Sequence, residues 1–423
     1  MERVTLGPDY TRSDRRAPLP AGSGPPDLAL NRLARFWRPI IDLAPAPEAP
    51  VRLRTIPVVS GLLAAPGPAA WPWFSMIGVP GLRHQVLRHA GLDEHDCREP
   101  SALPEERRSP AWRTLVAAVE RFPELELPRK ALLVFHLAQL SYPHTALTLA
   151  GDLRPTGEPE HDRYLYEVAR VRARMPGGAG VALEVYRAMA AAPRTEPLLA
   201  LAACFQGIGQ SVRGASAEGR AFERRGREVL RGLAGGSRPD DWHVRLVEGR
   251  FHRAVAVLRR SEGDPAGMRE ALRRAWACQQ PLDAEAAGAV DALVALESRR
   301  SLLETQLHAA VLGRDGGAVR HWCRELLRLD PTCVEARSAA GDGYAAVGDL
   351  GEAAHWYEQA GGLGTGAGAT AWYRAARCHE ALGDRAAAAH AMALCLELDN
   401  AAVEPRRWLR SLPGRQMSPA RMA

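Results

Sequence analysis

Gly313, Gly348 and Gly383 stand at intervals of 35 residues in a chain of 423. Ala318, Ala353 and Ala388 keep the same spacing, as do Gly341 and Ala376. A period of this length marks a supersecondary unit that cannot bury its apolar face alone and stacks on its neighbours. Stacking removes the usual size limit of a single core, because each unit packs only against the next.

The unit reads as two helices. In Gly348-Asp349 and Gly383-Asp384 the glycine takes the left-handed backbone that stops one helix, and the aspartate caps the next. Gly263-Asp264 repeats this upstream, with Pro265 at the first helical position. Asp349 and Glu352 have the spacing of a capping box. Ser109-Pro110 opens a helix in the same manner, and Pro128 and Pro143 open two more. From there to about residue 411 the pattern is helix after helix.

Residues 334–365 resemble a tetratricopeptide repeat (TPR). Small Gly341 and aromatic Tyr344 lie in the first helix, and Gly348-Asp349 is the turn. Ala353, Tyr357 and Ala360 follow in the second helix. Residues 369–400 match through Trp372, Ala376, Gly383 and Ala388, but carry His379 and Met392 where large aromatics are usual. The match is fair over 299–331 and loose over 249–281. The fold class expected is all-α, a TPR-like right-handed helical solenoid with a Pro-rich, partly irregular N-terminal region. Seventeen of the 32 prolines fall in residues 1–110. The expected division is a disordered arm at 1–26, a Pro-rich region at 27–108, a divergent helical-repeat region at 109–248, the solenoid at 249–412 and a disordered tail at 413–423.

Lys130 is the only lysine, so 54 of the 55 basic residues are arginine. Asn, Ile and Lys are scarce together while Ala, Gly, Arg and Pro abound, which points to a high-GC bacterial genome. The net charge of +6 is therefore weak evidence for an anionic partner unless arginines gather at one place. Seven dispersed cysteines without a C-x-x-C pair fit a reducing compartment. No apolar run of about 20 residues suggests a membrane span, and the N-terminus lacks a signal-peptide pattern. A cytoplasmic location is expected.

The resemblance implies that the first helix of each pair lines a concave, partner-binding surface. Carried over by distance from the turns, the lining residues are Arg250, Arg253, Arg300, Glu335, Ser338, Asp342, Thr370, Tyr373 and Arg377. None is Lys or Asn, so the set used by some TPR domains to clamp a chain-terminal carboxylate is absent. The ligand expected is a protein or peptide segment, acidic or amphipathic. Trp71, Trp73 and Phe74 are either a hydrophobic plug or a docking patch. Arg220, Arg224, Arg227 and Arg231 share one helix face and could meet phosphates or an acidic protein, although Glu223 and Glu228 could equally shield them.

His84, His89, His95 and Cys97 match no zinc spacing. The glycine-rich Gly361–Gly366 segment lacks the strand and lysine of a phosphate loop. No cofactor, metal or catalytic constellation is expected. The function that follows is a binding scaffold, adaptor or peptide-sensing regulator. The alternatives are nucleic-acid binding through the Arg220–Arg231 stripe, and an enzyme with an unrecognised site in the N-terminal half.

Overall fold

A computed structural model describes residues 99–102, 105–108, 110–139, 142–151, 158–212, 216–235, 241–329, 334–362, 366–399 and 402–412. The expectations for the arm, for Trp71, Trp73 and Phe74, for the histidine-rich segment and for the tail lie outside these residues. Among the described residues there are helices and no strand. The fold is all-α and TPR-like.

The described chain forms two compact units, 99–309 and 310–412. In the first, α1 (Pro110–Glu120), α2 (Leu127–Gln139), α3 (Pro143–Ala150) and α4 (Pro159–Arg172) are followed by α5 (Ala179–Ala191), α6 (Pro197–Ser211) and α7 (Ser216–Gly235). Next come α8 (Trp242–Ser261), α9 (Pro265–Ala284) and α10 (Ala289–Leu312), and the division between units falls within α10. Proline starts α1, α3, α4, α6 and α9, where its missing N–H has no intrahelical partner to lose. Pro128 sits one residue inside α2 instead of opening it.

Helix α6 packs against α5, α7 and α8. Seven consecutive residues from Leu199 to Phe205 are buried, so this stretch of the helix has no solvated face. An uninterrupted apolar stretch is what such a position requires.

In the second unit, α11 (Gly316–Leu329), α12 (Val334–Ala346), α13 (Leu350–Gly361), α14 (Gly366–Ala381), α15 (Arg385–Leu398) and α16 (Val403–Arg410) pack successively. Helix α12 also touches α14, so first helices of adjacent pairs meet. Gly348 and Gly383 have φ of 86° and 82°. Asp349 and Asp384 accept hydrogen bonds from the backbone N–H of Glu352 (3.3 Å) and Ala387 (2.9 Å).

The earliest turn in this unit departs from the sequence reading. Arg314, not Gly313, takes the left-handed conformation, at φ 53°. Asp315 caps α11 through the N–H of Ala318 at 2.9 Å. The capping aspartates are thus Asp315, Asp349 and Asp384, and the residue equivalent to Ala353 and Ala388 is Val319. All three are fully buried, whereas Ala318 is half-exposed. Eight residues beyond each cap lie Cys323, Tyr357 and Met392, all buried. Met392 fills an aromatic position because its unbranched thioether adapts to an irregular gap.

Candidate partner-binding residues

In the 99–309 unit, residues spaced by three or four along α4, α8 and α10 bring charge to the inner faces of the helices. Helix α4 carries Tyr166, Glu167 and Arg170, with Arg174 just beyond its end. Helix α5 carries Tyr186, α8 carries Arg250 and Arg253, and α10 carries Glu297, Arg300 and Glu304. Arg170 Nη1 donates to both carboxylate oxygens of Glu167 at 2.9 Å, with both side chains 3% exposed. The Arg170 guanidinium also lies 5.8 Å from the ring centre of Tyr166 and 5.6 Å from that of Phe135.

Arg250 Nη2 stands 3.6 Å from Glu297 Oε2. Arg300 pairs with Glu304 one turn on, and Arg253 Nη1 reaches Thr305 Oγ1 at 3.5 Å.

Burial bears on several of these charges. Burial pulls Arg250 down to about 10, against the attraction of Glu297. Burial also lowers Arg253, with Glu304 opposing it. Both guanidinium groups remain charged at neutral pH, as arginine does throughout proteins. Burial works against the charge of Arg170 too, but there the carboxylates of Glu167 and, more weakly, Glu297 outweigh it and hold the guanidinium above its ordinary value. Tyr166 and Tyr186 are both raised by burial and stay neutral.

Arg250 and Arg300 are therefore not solvated groove residues. Both are buried, Arg253 is half-buried and Arg174 is exposed. Arg170, Arg174, Tyr186 and Glu297 were not among the sequence-derived candidates. The signal that could have found them is Glu167, Arg170 and Arg174 at helical spacing inside a segment whose Val168, Ala169 and Val171 are all buried. Charged residues interleaved with a run of buried apolar ones belong to a buried pair, as Glu167 and Arg170 do.

In the 310–412 unit, Glu335, Ser338 and Asp342 lie on α12, and Thr370, Tyr373 and Arg377 lie on α14. Asp342 accepts hydrogen bonds from the Tyr357 hydroxyl at 2.5 Å and from Arg374 Nη1 at 2.7 Å, joining α12, α13 and α14. Tyr373 is buried, and Arg377 pairs with Glu380, whose other oxygen accepts from Trp408 Nε1 at 3.0 Å. Glu335, Ser338, Thr370 and Arg377 are half-exposed, and Asp342 is exposed.

The arginine stripe lies on α7. Arg220 pairs with Glu262 at 2.6 Å and Arg227 with Glu223 at 2.8 Å. Arg259 of α8 bridges these same two glutamates, at 2.6 Å to each. Arg224 and Arg231 are exposed, and Arg231 Nε turns back to the Arg227 carbonyl at 3.4 Å. Two of the four heads thus belong to a network that fastens α7 to α8.

No group of three or more metal-ligating side chains occurs among the described residues, and no described helix is long and apolar enough to cross a membrane.

No family model matches the chain, and no curated protein matches it in sequence. Among solved structures, the human IFIT1 dimer with m7Gppp-AAAA is similar at 12% identity and a TM-score of 0.39, over 87% of this chain and 77% of that one. The hetero-tetramer of APC/C Cut9 and Hcn1 is similar at 13% identity and a TM-score of 0.24, over 91% and 93%. Neither likeness is close enough to assign a partner or an activity.

Proposed function

We propose that this protein is a helical-repeat scaffold of the bacterial cytoplasm that holds an acidic segment of a partner protein. The observation that supports this reading is the gathering of half-buried Arg253 and exposed Arg174 with the buried Arg170, Arg250 and Arg300 in the 99–309 unit. A ligand that brings carboxylates to Arg174 and Arg253 adds charge-assisted hydrogen bonds, which makes the interaction selective for acid. Half-buried Arg253 and exposed Arg174 are the points of contact from outside.

The 310–412 unit offers a second, mixed face at Glu335, Ser338, Asp342, Thr370, Tyr373 and Arg377. Its charges are mostly paired internally, which suits register and specificity more than affinity.

The test is capture of partners from the native host's lysate, at low salt and at about 0.5 M salt, by wild type and by an Arg174→Glu/Arg253→Glu variant. A discrete protein held at both salts by wild type and lost by the variant supports the reading. Equal capture by the variant removes it. Nucleic acid that washes away with salt would direct attention to Arg224 and Arg231, because phosphate contacts weaken steeply as counterions compete.

A further inference from the structure

We propose that the outer face of α7 is a docking surface for an acidic α-helix of a partner protein, with Arg224 and Arg231 each taking one carboxylate. This surface is separate from the Arg174 and Arg253 contacts and does not depend on them. Arg220, Arg224, Arg227 and Arg231 lie along one line of α7, and all four are exposed. They are not equivalent. Arg220 Nε donates to Glu262 at 2.6 Å, and Arg227 Nη2 donates to Glu223 at 2.8 Å. Arg259 of α8 donates to both of these glutamates at 2.6 Å. Glu228 pairs with Arg225 at 3.1 Å, and Glu218 pairs with Arg187 of α5.

The carboxylates bordering the line thus already have arginine partners. Arg224 and Arg231 have no carboxylate within 4 Å among the described residues. Arg231 Nε donates to the Arg227 carbonyl at 3.4 Å, which leaves its charge unmatched. Two guanidinium groups with free donors therefore stand on one face. The helix that carries them is fastened on two sides, to α8 through Glu223 and to α5 through Arg225 Nε and the Ala190 carbonyl at 2.6 Å.

Their spacing selects the partner. Seven residues make two turns, so Arg224 and Arg231 stand about 10.5 Å apart along the axis. A helix lying along α7 presents carboxylates at that interval when they are seven residues apart in its own sequence. The planar guanidinium matches a carboxylate through two parallel hydrogen bonds. Ala217 and Ala221 are exposed beside the line and raise no bulky side chain against the approaching helix. Nucleic acid fits less well. Each strand carries a phosphate about every 3.4 Å of axis, and so uniform a charge sets phosphates against Glu228 and against arginines whose charge is already met. Carboxylates two turns apart avoid both.

The experiment uses the full chain and a fluorescein-labelled, alanine-based helical peptide with glutamate at every seventh position. A control peptide of the same composition has its glutamates five residues apart, which spreads them around the helix. Fluorescence anisotropy at about 50 mM salt, where surface charges are weakly screened, reads binding. Wild type should prefer the first peptide. Arg224→Glu/Arg231→Glu should bind it about tenfold more weakly, through two lost exposed pairs and the repulsion that replaces them. Its helicity and melting temperature should match wild type, because neither side chain holds an ion pair. Arg224→Gln/Arg231→Gln should bind with intermediate affinity, and it decides the matter if charge reversal lowers the melting temperature. Equal binding of the two peptides by wild type would overturn the surface. So would undiminished binding by both variants, or tighter binding of an oligothymidylate of equal charge. If Arg174→Glu/Arg253→Glu keeps its partner from the host lysate while Arg224→Glu/Arg231→Glu loses the peptide, the scaffold reading falls and the α7 surface stands. If the first variant loses its partner while the second keeps the peptide, the scaffold reading stands and the α7 surface falls.

Discussion

The Tyr357 ring occupies the space that a β-carbon on Gly341 would need. Such an atom would lie 2.6 Å from Cε1 and 2.7 Å from Cδ1 of the ring. Helices α12 and α13 are as close as they are because residue 341 has no side chain. Tyr357, fully buried, is pinned by its hydrogen bond to Asp342 and cannot swing clear. Gly341→Ala is expected to destabilise the 310–412 unit by about 1–3 kcal/mol through overpacking. Urea denaturation read by circular dichroism checks this. A variant as stable as wild type would mean that the helices separate more easily than their packing implies.

Glu223 holds α7 to α8. It is buried and accepts from Arg259 Nη2 at 2.6 Å through each oxygen, and from Arg227. Glu223→Gln keeps the shape and removes the charge that Arg259 faces. A loss of about 1–3 kcal/mol is expected, in the range for hydrogen bonds to charged groups. Arg227→Gln should cost far less, because that side chain is largely solvated. Chemical denaturation of the two variants side by side gives the comparison, and equal losses would argue against this assignment.

Glu262 makes part of this stability depend on pH. Burial, its largest single influence, would raise its pKa, but the hydrogen bonds and charges of Arg220 and Arg259 outweigh burial and hold it below the ordinary value. A carboxylate with a lower pKa folded than unfolded stabilises fully above its unfolded pKa of about 4.3 and loses that contribution as pH falls through the folded value. Glu262→Gln should be less stable than wild type at neutral pH, and the gap should close in acid. Denaturation midpoints across the acid range measure it. A gap that stays constant would show that the carboxylate's charge is not what matters.

The four thiols of Cys204, Cys278, Cys323 and Cys378 are each pushed up to about 12 by burial. Thiolate is the reactive form, so these cysteines should resist iodoacetamide at about pH 8 in the native protein and react once it is unfolded in urea. Peptide mass mapping of alkylated sites reads the result. Rapid native labelling of Cys323 would show that α11 opens locally.

Much of the 310–412 unit was legible because its signals are local. A left-handed glycine and a capping aspartate act over a few residues, and Gly348-Asp349 and Gly383-Asp384 form the turns their chemistry demands. The third turn escaped the same reasoning. Gly313 keeps the 35-residue interval, yet Arg314 takes the left-handed position, because the aspartate that caps the next helix is Asp315 and the turn is set from that side. The slip of one residue makes Val319, not Ala318, the buried contact.

Periodicity and capping were enough to establish helices, their ends and their stacking as repeats, since each depends on neighbours within a turn or two. The company kept by charged residues was decided only in three dimensions. Arg250 and Arg300 read as groove arginines by their distance from the turns, and Arg220 and Arg227 as part of an exposed stripe. The fold brings Glu297 to Arg250 and Glu262 to Arg220 from tens of residues away. Whether a charge is buried, paired or left over depends on which helices meet, and spacing along one helix carries no record of that.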